Sequence, residues 1–396
     1  MVPGEHLLQS LLLLLAVAVL GPMAAVRLRI PTAVILILAG IALGPVGLAV
    51  LRDTATVGFL SHFGFLVLMF MAGMEIDFDA IRSAGLRSLL RPSLVIVGIG
   101  GCTLLAARLL HLGPVPALVV AAIAVGLPLA TLKETGHASR RLGRHIMLTA
   151  SIGEFAVILA ITGVELAHDG GLTLHTAARI GKIAALFFLC ALLIRWTRAL
   201  VWWFPERFRR LIEHHDVAEL GVRVGLFVML AFVAISALAG VEPILGAFLG
   251  GMLVGFVLRQ KEVLEGKIAA LGNGLFIPIF FIVVGVRFDA SALDRSAVLY
   301  AAVLAGTAGL CKIVPALLIA PVGFSLRERL ATGCLLSAPL TLVVAIAAIG
   351  RSLGLIPASV QASLVLVGIL VSLTFPVLFK LVAPAISGVS DDGSAR

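Results

Sequence analysis

Two charged side chains stand where an apolar chain should carry none. Glu154 lies inside the stretch 149–166, T-A-S-I-G-E-F-A-V-I-L-A-I-T-G-V-E-L, and Lys312 inside Gly309-Leu310-Cys311-Lys312-Ile313-Val314-Pro315. A charge near a bilayer midplane costs about 2.5–3.5 kcal/mol on insertion scales, so a carboxylate kept there points to an ion or proton path. The competing reading of Glu154 is a packed, neutral glutamic acid bonded to a neighbouring helix. For Lys312 the plain account is snorkelling toward the interface; the functional one has it neutralise either Glu154 or a set of unpaired backbone carbonyls. Lys182, Glu219 and Arg223 lie nearer span ends, where snorkelling suffices.

Pro128 and Pro339 each fall within an apolar run. Proline removes a backbone donor and clashes with the preceding turn, so each is expected to break its helix there. Gly126 and Thr131 flank the first, and Ser337 and Thr341 the second. One such proline is often only a kink. Two in paired positions predict broken helices that cross at mid-membrane and present carbonyls and half-helix dipole ends to a small ion. Glu154, with the hydroxyls of Ser151, Thr131 and Thr341 and the carbonyls at the breaks, would give an oxygen shell suited to a hard monovalent cation.

The elements that must hold these residues follow from composition. With 396 residues, 61% hydrophobic and 13% charged, the chain reads as an all-α polytopic membrane protein. A window of about 20 apolar residues gives thirteen spans, near 6–26, 31–51, 56–75, 89–110, 114–133, 145–167, 175–195, 217–239, 243–259, 269–287, 297–320, 329–350 and 358–382. The net charge of +9 sits in short loops between spans rather than in one patch, which argues for topogenesis and against nucleic acid. Most Lys and Arg fall on one side of the alternation, so the N-terminus is expected outside and the C-terminus in the cytoplasm. Residues 1–6 lack the basic start of a cleaved signal peptide, and the first run is taken as a retained span. Cys102, Cys190, Cys311 and Cys334 lie in apolar runs with no CxxC spacing, so neither a disulfide framework nor a zinc site is expected.

The connection 195–216 holds Trp196, Trp202 and Trp203 followed by Arg207, Arg209 and Arg210, the composition of an amphipathic helix on the inner leaflet. Its Glu213-His214-His215-Asp216 has no metal-ligand spacing and reads as a solvated loop. An internal repeat is also visible. Gly73-Met74-Glu75-Ile76-Asp77 in the third span recurs as Gly285-Val286-Arg287-Phe288-Asp289 in the tenth, and Leu127-Pro128-Leu129 in the fifth recurs as Ala338-Pro339-Leu340 in the twelfth. A seven-span displacement turns the second copy over in the membrane, giving the inverted repeat of a secondary transporter.

Several motifs resemble those of the cation:proton antiporter superfamily, in its Kef-like and NapA-like branch. Gly73-Met74-Glu75-Ile76-Asp77 is similar to that family's G-L-E-L-D, and Leu132-Lys133-Glu134-Thr135-Gly136 to its L-K-E-x-G. Leu245-Gly246-Ala247-Phe248-Leu249-Gly250-Gly251 resembles L-G-A-F-x-A-G, and 278–285 resembles P-x-F-F-x-x-x-G. The resemblance implies the sodium/proton antiporter fold: a six-helix core with two crossed discontinuous helices, a separate dimerisation unit, a homodimer, and elevator-like movement of the core. The membrane domain would cover 1–386, with 387–396 a short cytoplasmic tail and no nucleotide-binding regulatory domain in this chain.

One departure stands out. Where the family carries an acid or amide followed by Asp, this chain has Gly153-Glu154, which keeps the ion-binding acid but removes the residue that pairs with a lysine at the position of Lys312. The function expected is exchange of protons for Na+ or K+ across the plasma membrane, with Glu154 as the shared site and no cofactor. An organic-anion symporter or uniporter on the same fold, or a proton-sensing regulatory subunit, are the alternatives. No span carries HExxH or a nucleophile elbow, so an enzyme is not expected.

Overall fold

The computed structural model describes residues 3–168 apart from 29, 52, 76 and 77, stretches of 181–196, and 220–384 apart from 258–260 and 289–293. The described elements are helices: α1 (Pro3–Leu28), α2 (Thr32–Leu43), α3 (Ala55–Met74), α4 (Phe78–Leu109), α5 (Pro114–Ala121), α6 (Gly126–Glu134), α7 (Arg141–His168), α8 (Leu220–Leu238), α9 (Pro243–Val257), α10 (Lys261–Leu271), a π-helical turn (Gly272–Phe276), α11 (Ile277–Val286), α12 (Arg295–Ile319), α13 (Leu326–Leu336), α14 (Leu340–Ser352) and α15 (Ala358–Val382). Hydrocarbon offers no water to backbone N–H and C=O groups, so a chain this apolar must satisfy them within each span. Ten stretches are long and apolar enough to cross a membrane, and Thr32–Leu43 and Pro243–Phe256 are shorter apolar helices. These twelve coincide with twelve of the thirteen spans read from the sequence. The remaining one, at 175–195, lies about half outside the described residues; the interfacial stretch 195–216 lies mostly, and the tail 387–396 wholly, outside them.

Helix starts follow local chemistry. Thr54 accepts the Val57 N–H at 3.3 Å, and Ser325 and Glu328 form a reciprocal capping box ahead of α13. Asp294 caps α12 through Ala297 N–H at 2.7 Å; the Ser296 hydroxyl and that N–H hold its carboxyl below the usual carboxylate range.

Two groups of helices pack as separate bodies. In the first, α2 packs against α11, α3 against α9 and α11, and α8 against α9, with α1 beside α2. In the second, α12 is flanked by α4, α13 and α15, and α5 lies between α12 and α14 while also touching α7. The groups meet through α7 and α9, where Phe155 stacks on Phe248 with ring centroids 6.1 Å apart.

The inverted repeat is built into the first group as matching glycine seams. A Cβ on Gly73 of α3 would collide with Phe248 O of α9, and one on Gly251 of α9 would collide with Phe70 O of α3. Likewise a Cβ on Gly285 of α11 would strike Ile37 O of α2, and one on Gly40 of α2 would strike Ile282 O of α11. Only glycine lets backbones approach this closely, as in small-residue seams of membrane helices generally. Since α2 and α3 of the first copy answer to α9 and α11 of the second, each copy contributes one helix to each seam.

The fifth and twelfth spans are interrupted. Residues 122–125 separate α5 from α6, and residues 337–339 separate α13 from α14. The first break is not where the sequence put it. Pro128 is the third residue of α6 rather than the point of interruption, because the first turn of a helix needs no donor at that position. Pro339, by contrast, lies in its break, as the residue preceding α14, with φ −93° and ψ 52°.

Candidate functional site

Each half-helix ends in partly unpaired backbone groups, and a dry interior must answer them. α6 has no acidic residue in its first turn and no side-chain cap. Glu154 of α7 fills that role: its Oε2 accepts the N–H of Val125, the residue preceding α6, at 2.9 Å. The carboxylate is therefore held at the positive end of a helix dipole, where its charge is stabilised. It is 2% exposed, and its other oxygen makes no hydrogen bond among the described residues.

Lys312 answers the other half. α5 has no basic residue in its last turn, and Lys312 Nζ of α12 donates to Val120 O at 2.7 Å and to Ala308 O at 3.4 Å. Of the partners expected for it, the lysine meets the broken-helix carbonyl end and not Glu154. With 0% exposure it does not snorkel. Lys182 and Arg223 are exposed, while Glu219 lies outside the described residues.

A cavity of about 970 Å³ lies between the two helix groups. From the second group it is lined by Gly126, Thr131, Glu134, Glu154, Ala338, Leu340, Thr341 and Lys380; from the first, by Glu75, Asn273 and apolar side chains of α1–α3 and α11. Both helix breaks thus open onto one space. Thr131 donates its hydroxyl hydrogen to Leu127 O at 2.9 Å, which leaves its oxygen lone pairs available. Glu134 and Lys380, paired at 2.6 Å and with side chains 65% and 42% exposed, mark the open end.

Not every candidate from the sequence reaches this cavity. Ser151 is buried, Pro128 sits within the first turn of α6, and Ser337 and Pro339 lie in the second break; none of the four lines the space. Ser337 instead donates to Gly333 O at 2.7 Å, closing a carbonyl at the end of α13. Gly153 faces away: a Cβ there would lie 2.8 Å from Ile123 Cδ1 and 2.9 Å from Ile96 Cδ1. An apolar wall therefore stands where a neighbouring acid would have to fit. Conversely, sequence reasoning assigned no site role to Glu75, Glu134, Asn273 or Lys380. The first two lay in plain view within quoted motifs; nothing local marked Asn273 or Lys380.

A cavity with charged and apolar walls at two helix breaks is the architecture in which secondary transporters hold small ions. Residues 13–381 match the family described as "Sodium/hydrogen exchanger, transmembrane", and the chain belongs to it. It is 29% identical to the putative Na(+)/H(+) antiporter YjbQ of Bacillus subtilis, with 94% of this chain and 62% of that protein covered. The chain thus spans under two thirds of that relative's length. It is 27% identical to the probable Na(+)/H(+) antiporter 3 of Methanocaldococcus jannaschii, covering 93% of this chain and 94% of that one. Among solved structures, the sodium proton antiporter MjNhaP1 from the same organism superposes with a TM-score of 0.58 at 16% identity, over 95% of this chain and 96% of that chain. That likeness is one of fold.

Proposed function

We propose that the protein exchanges protons for a monovalent cation, Na+ or K+, with Glu154 as the site both compete for. The observation that carries this reading is the position of Glu154: buried, pinned through one oxygen at the break before α6, and lining the cavity with the other oxygen uncommitted. A bare carboxylate carried through an apolar barrier costs several kcal/mol, of order 2.5–3.5 on insertion scales. A proton or a cation removes that charge. Movement of the loaded site is then easy, and movement of the empty one is not, which couples the two fluxes.

The oxygens of Thr131 and Thr341 complete the shell for a hard cation. Among the described lining residues, carboxylates outnumber the one lysine, which favours a cation and opposes an organic anion. The sparse joint between the two helix groups supports an elevator-type step in which the second group carries Glu154 past the first. In this reading 1–386 forms one membrane domain with interleaved core and dimerisation parts, working as a homodimer in the plasma membrane without a cofactor. The cavity then opens to the cytoplasm, the side of the basic loops.

Purified protein in proteoliposomes under an imposed pH gradient tests the proposal, with Na+, K+ and Li+ supplied in turn. Glu154→Gln, nearly isosteric but unable to ionise, should abolish cation-driven proton flux while the protein remains inserted. Persistent coupled flux in that variant sinks the assignment.

A further inference from the structure

Where residues 320–325 join α12 to α13, two arginines from different helices converge on one loop. Arg91 of α4 donates through Nη1 to Ala320 O at 2.7 Å, and Arg141 of α7 donates through Nη2 to Val322 O at 2.8 Å. The two acceptors are two residues apart, so at most about 7 Å of chain separates them. The loop is firmly set. Gly323 turns it at φ +85°, and the Phe324 ring lies under the Arg141 guanidinium at 5.1 Å and against the His145 ring at 5.3 Å. Arg329 fixes it further, its Nε donating to Phe324 O at 3.2 Å and its Nη1 to Leu317 O at 3.1 Å.

Neutral donors would satisfy these carbonyls, whereas guanidiniums bring like charges to one place. Arg91 and Arg141 form no ion pair among the described residues. Glu328, the acid of this connection, is closed on Ser325, accepting its N–H at 2.7 Å and its hydroxyl at 3.0 Å. Each guanidinium has five N–H donors and spends one on the loop, so both keep donors for an anion.

The surface beside them is apolar. Leu90 and Leu94 of α4, Leu318 of α12 and Val322 of the loop are exposed. The two helices pack closely there: a Cβ on Gly98 would lie 3.0 Å from both Pro315 Cβ and Ile319 Cδ1. A soluble anion gains nothing from such a surface, and an acyl chain does.

We propose that Arg91 and Arg141 hold the phosphodiester of an anionic phospholipid of the inner leaflet, its acyl chains lying along the exposed leucines of α4 and α12. Guanidinium forks match the non-bridging phosphate oxygens, and basic pockets between membrane helices suit such headgroups. The lipid ties together α4, α7 and the α12–α13 loop, all within the helix group that carries Glu154. The proposal is independent of which ions the protein exchanges.

The test equilibrates the full chain with detergent micelles holding equal amounts of phosphatidylglycerol and phosphatidylcholine of matched acyl chains, and reads the ratio of lipids retained on purification. Wild type should prefer phosphatidylglycerol by about thirtyfold, about fivefold from each arginine. Arg91→Gln and Arg141→Gln, which keep a donor for the loop carbonyl, should each cut that preference about fivefold. Arg91→Lys and Arg141→Lys should retain most of it, and Arg351→Gln, at the far end of the same interrupted span, should change nothing. If the glutamine variants do not fold, wild type at low and high salt gives the same reading, because a preference set by exposed charge fades as salt rises. Equal retention of the two lipids, a preference that survives the glutamine substitutions or high salt, or displacement of phosphatidylglycerol by an equal concentration of inorganic phosphate overturns the lipid site.

Discussion

Replacing Lys312 separates a lysine that neutralises Glu154 from one that neutralises a helix end. Its ammonium donates to Val120 O and Ala308 O and is wholly enclosed. Lys312→Met keeps most of the stem and deletes the donor. A charge-assisted hydrogen bond contributes about 1.5–3 kcal/mol and an orphaned buried carbonyl costs about 1–3 kcal/mol. Relief of the buried charge offsets part of this, leaving a loss of about 2–4 kcal/mol. Lys312→Ala removes about three further methylenes at about 0.8 kcal/mol each, some 2 kcal/mol more. Thermal unfolding in detergent should therefore rank wild type above Met above Ala, while the exchange activity that survives keeps its pH profile. Wild-type stability combined with a displaced pH profile would refute this reasoning and return the ammonium to Glu154.

The two prolines should behave unequally. Pro128→Ala, in the first turn of α6, should change stability and transport little, whereas Pro339→Ala lets the gap between α13 and α14 close and should reduce transport without loss of insertion; equal effects in flux assays would mean the two breaks are alike. Gly285→Ala drives a Cβ into Ile37 O, a backbone atom that cannot swing aside, and should lower thermal stability by at least about 1–3 kcal/mol. Gly153→Asp places its side chain against Ile96 and Ile123 and not in the cavity. It should destabilise the protein and leave the proton-to-cation ratio of reconstituted exchange unchanged; an increased ratio would place position 153 at the ion.

The sequence by itself determined the spans, the inverted repeat and the buried acid, and the reason is the solvent. Hydrocarbon forces each apolar run to become a helix and makes a lone Glu154 conspicuous, so both are legible from local composition. Which helix meets which was decided only in three dimensions: Gly73 with α9, Gly285 with α2, Lys312 with a carbonyl 192 residues away. The first break falls before Pro128 because a proline fits the first turn of a helix as well as a gap, whereas the side chains that answer the broken ends, Glu154 and Lys312, come from other helices, which no local rule encodes. Glu75 and Glu154 face one cavity because two separately packed groups meet there, and such a meeting leaves no periodic trace in either segment.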